Sequence, residues 1–213
     1  MTSLRINRLH HPVTVLGHGV RAGLWVQGCG LGCHGCASRD TWDPLAGSVV
    51  EVDEILAWLD GLPEPLDGLT VTGGEPLEQP EALGELLSAV DHRRRDRPRP
   101  FDILLFTGRA AHTLDRPDTL RAIEACDAVV AGPYVEARNT GVPLRGSDNQ
   151  RIVIRTALGR GRYADPPSGA RLQVATTGER TYLIGIPRRG DLERLGARMA
   201  ADGLTLQDAT WRS

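Results

Sequence analysis

The chain has 213 residues, and its 25 basic and 27 acidic side chains leave a net charge of −2, which gives no electrostatic case for a nucleic-acid partner. Every basic residue is arginine, so chemistry through a lysine Schiff base is excluded. No apolar run approaches the ~20 residues of a membrane span, and the N-terminus lacks the charged-then-apolar pattern of a secretory leader. Four cysteines, three of them clustered, point to a reduced, cytoplasmic setting.

Residues 4–16 alternate loosely through Leu4, Ile6, Val13 and Val15 and read as one or two strands. His10, His11 and His18 lack the spacing of a histidine metal motif and read as surface or turn residues. Ala22–Gly28 is a short apolar strand that delivers a cysteine loop. Val52, Ile55, Leu56 and Leu59 form a helical face, with Asp53 and Glu54 favouring its N-terminus and Gly61 and Pro63 ending it. A strand over Leu66–Thr72 runs into Gly73-Gly74-Glu75-Pro76, and Pro80 starts a helix through Val90. The basic run Arg93–Pro98 reads as that helix's solvated end. Phe101–Phe106, apolar but for Asp102, reads as a strand buried on both faces, and it ends at Thr107-Gly108-Arg109.

A helix over Asp118–Ala125 and a strand over Ala128–Ala131 follow, then a loop over 135–150 and a strand over Arg151–Arg155. This alternation predicts an α/β fold, a mostly parallel sheet with crossover helices. Gly, Pro and Arg over Ala157–Pro167 read as a linker. A hairpin (171–175 and 180–186, Gly178 at the turn) and a helix over Asp191–Ala201 close the chain. The expected division is a core of residues 1–155 and a hairpin–helix extension, 156–213, too small to own a core and so packed on the first.

Cys29-Gly-Leu-Gly-Cys33-His-Gly-Cys36 places three thiols within eight positions, and thiolates select iron–sulfur clusters or zinc. Three cysteines are one short of a closed zinc site, so the spacing leaves two readings: a cluster with one open iron, or zinc completed by His34 or a remote histidine. Cys126 stands alone and reads as a buried, inert thiol, which leaves no thiolates for a second cluster. Cys29–Cys36, Thr72–Pro76 and Thr107–Arg109 all fall at strand ends, where α/β folds collect their chemistry. Gly73 and Gly74 would let carbonyls approach a ligand ammonium, with Glu75 as a negative acceptor; the alternative is a plain tight turn. Thr107 either bonds a ribose or caps the next turn. The polar loop Arg145–Gln150 is of a type that binds something.

C-x₃-C-x₂-C after a first strand, followed by Thr72-Gly-Gly-Glu-Pro76, resembles the radical SAM superfamily. Gly35, Thr41-Trp42 and Arg145-Gly-Ser-Asp-Asn-Gln150 resemble, more closely, the activating enzymes of anaerobic ribonucleotide reductase, over about residues 12–155. Two positions bear on that branch: Gly35 agrees with it where many relatives carry an aromatic residue, and Asp148 stands where serine is common. The resemblance implies a partial (β/α)6-type barrel with a small C-terminal hairpin and helix. It implies one [4Fe-4S] cluster on Cys29, Cys33 and Cys36, and S-adenosyl-L-methionine held by Gly35, Cys36, Ala37, Thr72, Gly73, Gly74, Glu75, Thr107 and Asn149. Reductive cleavage of that cofactor to a 5′-deoxyadenosyl radical would serve a partner glycyl radical enzyme, such as anaerobic ribonucleotide reductase. The electron would come from a donor such as flavodoxin or ferredoxin. The alternatives are direct action on a small molecule or short peptide, and, more remotely, a zinc-binding structural module.

Overall fold

The computed structural model describes residues 2–166, 168–178, 180–204 and 209–211. Its elements are β1 (Ser3–Val13), β2 (Arg21–Val26), β3 (Ser48–Glu51), α1 (Val52–Asp60), β4 (Gly68–Gly73), α2 (Pro80–Arg94), β5 (Asp102–Thr107), α3 (Pro117–Ala122), β6 (Ala128–Ala131), β7 (Arg151–Ile154), α4 (Ala157–Tyr163), β8 (Leu172–Thr177), β9 (Arg180–Gly185) and α5 (Asp191–Ala201).

Strands β1 to β7 form one sheet in the order β3-β1-β2-β4-β5-β6-β7. The contiguous strands β2, β4, β5 and β6 are parallel, while β1 runs antiparallel to both β2 and β3, and β7 antiparallel to β6. The expected alternation of strands and helices is therefore present through the middle of the chain. The expected partial barrel of about six strands is found as a seven-stranded sheet, whose edges, β3 and β7, do not pair with each other among the described residues. The strand that sequence reading missed, β3, is short and half outside the core, so it has no apolar run to reveal it.

Side chains alternate across a strand, and here that period of two divides the core. Leu24, Val26, Leu69, Val71, Ile103, Leu105, Val129 and Ala131 face the apolar stripes of α1 and α2 and the residues Ala122 and Ile123 at α3. Trp25, Leu104, Phe106 and Val130 point to the opposite face. There Tyr163 of α4 packs with Leu104 and Val130, and Ile184 of β9 packs with Val13, Leu16 and Trp25. Gln173 of β8 also ties the hairpin to the end of β1, accepting from Thr14 N–H (2.9 Å) and donating to the Pro12 carbonyl (2.7 Å).

The linker expected over 157–167 is instead helix α4 through Tyr163. Its N-cap, Thr156, accepts from Gly159 N–H (3.1 Å), and Gly159 lies so close to the Asp127 carbonyl that a methyl group would come within 2.1 Å of it. The arginines that end α2 are ion-paired rather than free: Arg93 with Asp60, Arg94 with Asp91 and Asp127, Arg95 with Asp91, Arg97 with Glu64. This is the helix-end role read from the sequence, now with named partners.

Candidate functional site

Because β2, β4, β5 and β6 are parallel, the loops that follow them emerge along one edge of the sheet. The cysteine loop and the Gly73-Gly74-Glu75 turn are joined there by main-chain bonds. Glu75 N–H donates to the Gly28 carbonyl (2.8 Å) and Gly74 N–H to that of Val26 (2.9 Å). A methyl group on Gly74 would fall 2.1 Å from the Gly28 carbonyl oxygen, so this approach requires glycine. The far side of the cysteine loop is held by Gly28 N–H to Thr41 (2.8 Å) and Cys29 N–H to Trp42 (3.1 Å).

Two glutamines that sequence reasoning passed over complete the frame. Gln27, 2% exposed, donates to the carbonyls of Asp40 (3.0 Å) and Asp43 (2.8 Å). Gln79 accepts from Arg5 N–H (2.8 Å) and donates to the carbonyls of Arg5 (2.9 Å) and Gln27 (3.2 Å). Their one signal is position, a long amide immediately after β2 and another just after the Gly-Gly-Glu turn. Glu78 accepts from Gly30 N–H (2.8 Å) and so braces the loop between Cys29 and Cys33.

Cys29, Cys33 and Cys36 are free and partly buried on this loop. Burial pushes the Cys29 and Cys36 thiols up from their usual range, so a metal that takes them as thiolates must release protons. Among the described residues no group of three His, Cys, Asp or Glu side chains is already arranged around a common point. His34 Nδ1 lies 2.9 Å from Glu136 Oε2, an exposed contact on the short 3-10 turn Glu136–Arg138. Gly35 has φ +73°, a backbone conformation that favours glycine, and a methyl group on it would sit 2.8 Å from the carboxyl carbon of Glu136. Cys126 is buried in the helix-side core, and burial pushes its thiol up to about 12, the inert state expected of it. Three soft sulfurs on one glycine-rich loop, without a fourth cysteine beside them, fit an iron–sulfur cluster with one iron left open.

Glu75 is 1% exposed, and its carboxylate already accepts three hydrogen bonds. Oε1 takes Leu77 N–H (2.9 Å) and Thr107 Oγ1 (2.7 Å), and Oε2 takes Gly108 N–H (2.7 Å). Burial pushes this carboxyl above its usual range despite those three donors. The carboxylate expected to meet a ligand ammonium is thus engaged in joining the end of β4 to the end of β5. Thr107 Oγ1 also accepts from Arg109 N–H (3.0 Å), which is the turn-capping alternative of its two readings.

The polar loop 145–150 clamps the turn after β6. Gln150 accepts from Gly146 N–H (2.8 Å) and donates to the Gly132 carbonyl (2.8 Å), while Ser147 Oγ accepts from Val135 N–H (3.1 Å). Asn149 donates to the Pro133 carbonyl (2.8 Å), and its buried Oδ1 has no partner among the described residues. An orphaned buried acceptor is a place for a ligand donor.

A cavity of about 920 Å³ lies on the sheet face opposite α1 and α2, beneath β9. Arg8, Trp25, Ala37, Asp40, Thr72, Phe106 and Tyr182 are among its lining residues. The Arg8 guanidinium lies 4.7 Å from the centre of the Trp25 ring and 5.6 Å from that of Tyr182, and pairs with Asp40 at 3.2 Å.

The sequence of residues 15–153 matches the family described as a 4Fe-4S single cluster domain. The chain is 31% identical over 156 residues to the anaerobic ribonucleoside-triphosphate reductase-activating protein of Enterobacteria phage T4, a match covering 72% of this chain and 96% of that protein. It is 37% identical over 87 residues to a pyruvate formate-lyase-activating enzyme of Clostridium pasteurianum, 39% of this chain and 37% of that one. It is also 37% identical over 67 residues to 7-carboxy-7-deazaguanine synthase of Methanothermobacter thermautotrophicus, 31% of this chain and 27% of that one. With its single cysteine loop bonded to the Gly-Gly-Glu turn at one edge of a parallel sheet, the chain belongs to the 4Fe-4S single-cluster family and is a radical SAM enzyme of the activating type, using a [4Fe-4S] cluster and S-adenosyl-L-methionine.

Proposed function

We propose that this enzyme activates a glycyl radical enzyme, with an anaerobic ribonucleoside-triphosphate reductase as its target. The observation that carries this reading is the phage T4 relative, which is matched over nearly its whole length and is named for that partner. Cys29, Cys33 and Cys36 would hold the cluster in this reading. When bound, the cluster and S-adenosyl-L-methionine supply a one-electron cleavage of the C5′–S bond, giving methionine and a 5′-deoxyadenosyl radical able to take a hydrogen atom from a glycine Cα. Flavodoxin or ferredoxin is the proposed electron source, and the cytoplasm the proposed compartment.

The residues of the chain have separable tasks. The carbonyls of Thr72, Gly73 and Gly74 would hold the methionine ammonium, and Glu75 holds that turn in place through Thr107 and Gly108. Gly35 and Ala37 would hold the adenosine, and Asn149 Oδ1, without a partner among the described residues, would accept from the cofactor. Residues 1–155 make the radical SAM core, and the described residues of 156–213 form an extension packed on it, which would keep water from the reacting centre.

Anaerobic protein with reconstituted cluster, reductant, S-adenosyl-L-methionine and the reductase should yield methionine, 5′-deoxyadenosine and a glycyl radical detected by electron paramagnetic resonance. Methionine production without a radical on the reductase would favour a small-molecule substrate, a reading supported by the deazaguanine synthase match.

A further inference from the structure

Strand β9 forms one wall of the 920 Å³ cavity in an unusual way. Every residue from Arg180 to Ile186 lines the cavity, whereas β8 contributes only Leu172. Side chains alternate across a strand, so a cavity against one face of the hairpin would meet every second residue. An unbroken run means that the cavity follows the edge of the strand. Among the described residues β9 is paired with β8 alone. The N–H of Ile186 donates to the Arg171 carbonyl (2.9 Å), on the β8 side. The same alternation turns the main-chain groups of Thr181 and Leu183 away from β8, and among the described residues these groups have no hydrogen-bond partner. An unpaired strand edge along a cavity is a template for a further strand.

We propose that this edge takes an extended segment of the substrate protein as a third strand, carrying the target glycine through the cavity toward the cysteine loop. The inference rests on the glycyl radical enzyme reading and specifies how that substrate is held. A cavity of this volume lies in the range that holds a drug-sized ligand, which suits an extended segment and not a folded domain. Donors and acceptors repeated at strand spacing match an extended backbone, the mode of recognition in which main-chain bonds give affinity and alternate side chains give specificity. The opposite wall offers both kinds of contact for such side chains, apolar at Trp25 and Phe106 and charged at Arg8 and Asp40. Glycine in a strand exposes its Cα–H without a side chain in the way. β8 and β9 lie outside the residues matched by the family, so the device belongs to this chain's own extension.

The test removes one outward N–H. Leu183→Pro deletes it and leaves the β8 ladder intact, since proline is tolerated on an edge strand where the N–H faces away from the sheet. Leu183→Ala trims the side chain and keeps the N–H. Radical yield is read by electron paramagnetic resonance against the concentration of an anaerobic ribonucleoside-triphosphate reductase, using holoenzyme. The KM for the reductase should be about three- to tenfold higher for Leu183→Pro than for Leu183→Ala; equal values overturn the proposal.

A second measurement uses the wild-type enzyme and so holds even if the proline variant does not fold. A synthetic peptide copying the reductase's glycine segment is N-methylated at one alternate set of residues or at the other, and each form competes for activation. One set should weaken competition about tenfold or more and the other little, because a strand presents every second N–H to its neighbour. Equal effects of the two sets overturn the third-strand geometry. Failure of the wild-type enzyme to form any glycyl radical overturns the parent reading, and the occupant named here with it. Radical formation indifferent to both tests overturns the edge alone.

Discussion

The parallel strands of this sheet begin and end in opposite chemistry. At their beginning, Arg21 of β2 and Asp102 of β5 are both fully buried and joined by two bonds of 2.8 and 2.9 Å. Thr70, Tyr163, Arg162 and the Leu69 carbonyl satisfy the remaining donors and acceptors. At their end stand partly buried thiols, glycine turns and an Asn149 acceptor without a partner among the described residues. A charge cluster that is closed and dry holds the fold, and a polar edge with open valences is where a ligand can bind. The division matches the rule that strand C-termini carry chemistry and N-termini carry stability.

The largest effect that separates the two ends is all-or-none. Replacing Cys29, Cys33 or Cys36 by Ala should abolish iron binding in anaerobically reconstituted protein, read by iron analysis and the visible spectrum. Retained iron at wild-type levels would remove the loop from the site. Next in size, Arg21→Ala takes from Asp102 its fully buried partner, leaving only Arg162 and Tyr163 against the carboxylate, and should cost about 3–5 kcal/mol in urea unfolding. A loss below ~1 kcal/mol would mean that the buried cluster does not hold the fold.

The same cluster has a pH signature. Burial alone would push the Asp102 carboxyl up, but Arg21, Tyr163 and Arg162 bring it below its usual value. Its contribution is therefore fully present above the unfolded value of about 3.9 and is lost as pH falls through the lower folded value. The acid limb of the wild-type stability curve should be steeper than that of Asp102→Asn, and parallel limbs would contradict this. At the other end, Glu75→Gln turns an acceptor into a donor facing Thr107 or Gly108 N–H. It should weaken S-adenosyl-L-methionine binding by about 1–3 kcal/mol, with iron content unchanged. Thr156→Ala is the smallest change, costing about 1 kcal/mol by removing the cap of α4.

What was legible in the sequence follows from range. The helices α1, α2 and α5 were readable because an apolar face repeats within one turn of the chain, and β5 and β6 because Ile103–Phe106 and Ala128–Ala131 are unbroken apolar runs. The cysteine loop and the Gly-Gly-Glu turn were readable because each is contiguous. Helix α4 was not, since its stability comes from Tyr163 and Arg162 reaching Asp102, some sixty residues away, through a Gly- and Arg-rich segment. The Arg21–Asp102 pair spans 81 residues and has no local sign at all. The motif at 145–150 was visible as a motif, but its task as a clamp on Gly132 and Pro133 emerged only when the turn after β6 was placed beside it.

The most direct test of the central claim follows one hydrogen atom. The reductase is prepared with α-deuterated glycine and incubated anaerobically with the reduced holoenzyme and S-adenosyl-L-methionine. The 5′-deoxyadenosine produced is then analysed by mass spectrometry alongside the glycyl radical signal. An activating enzyme of this kind should place deuterium in 5′-deoxyadenosine in proportion to the radical formed. Deoxyadenosine that carries no deuterium while the reductase stays radical-free would contradict the account.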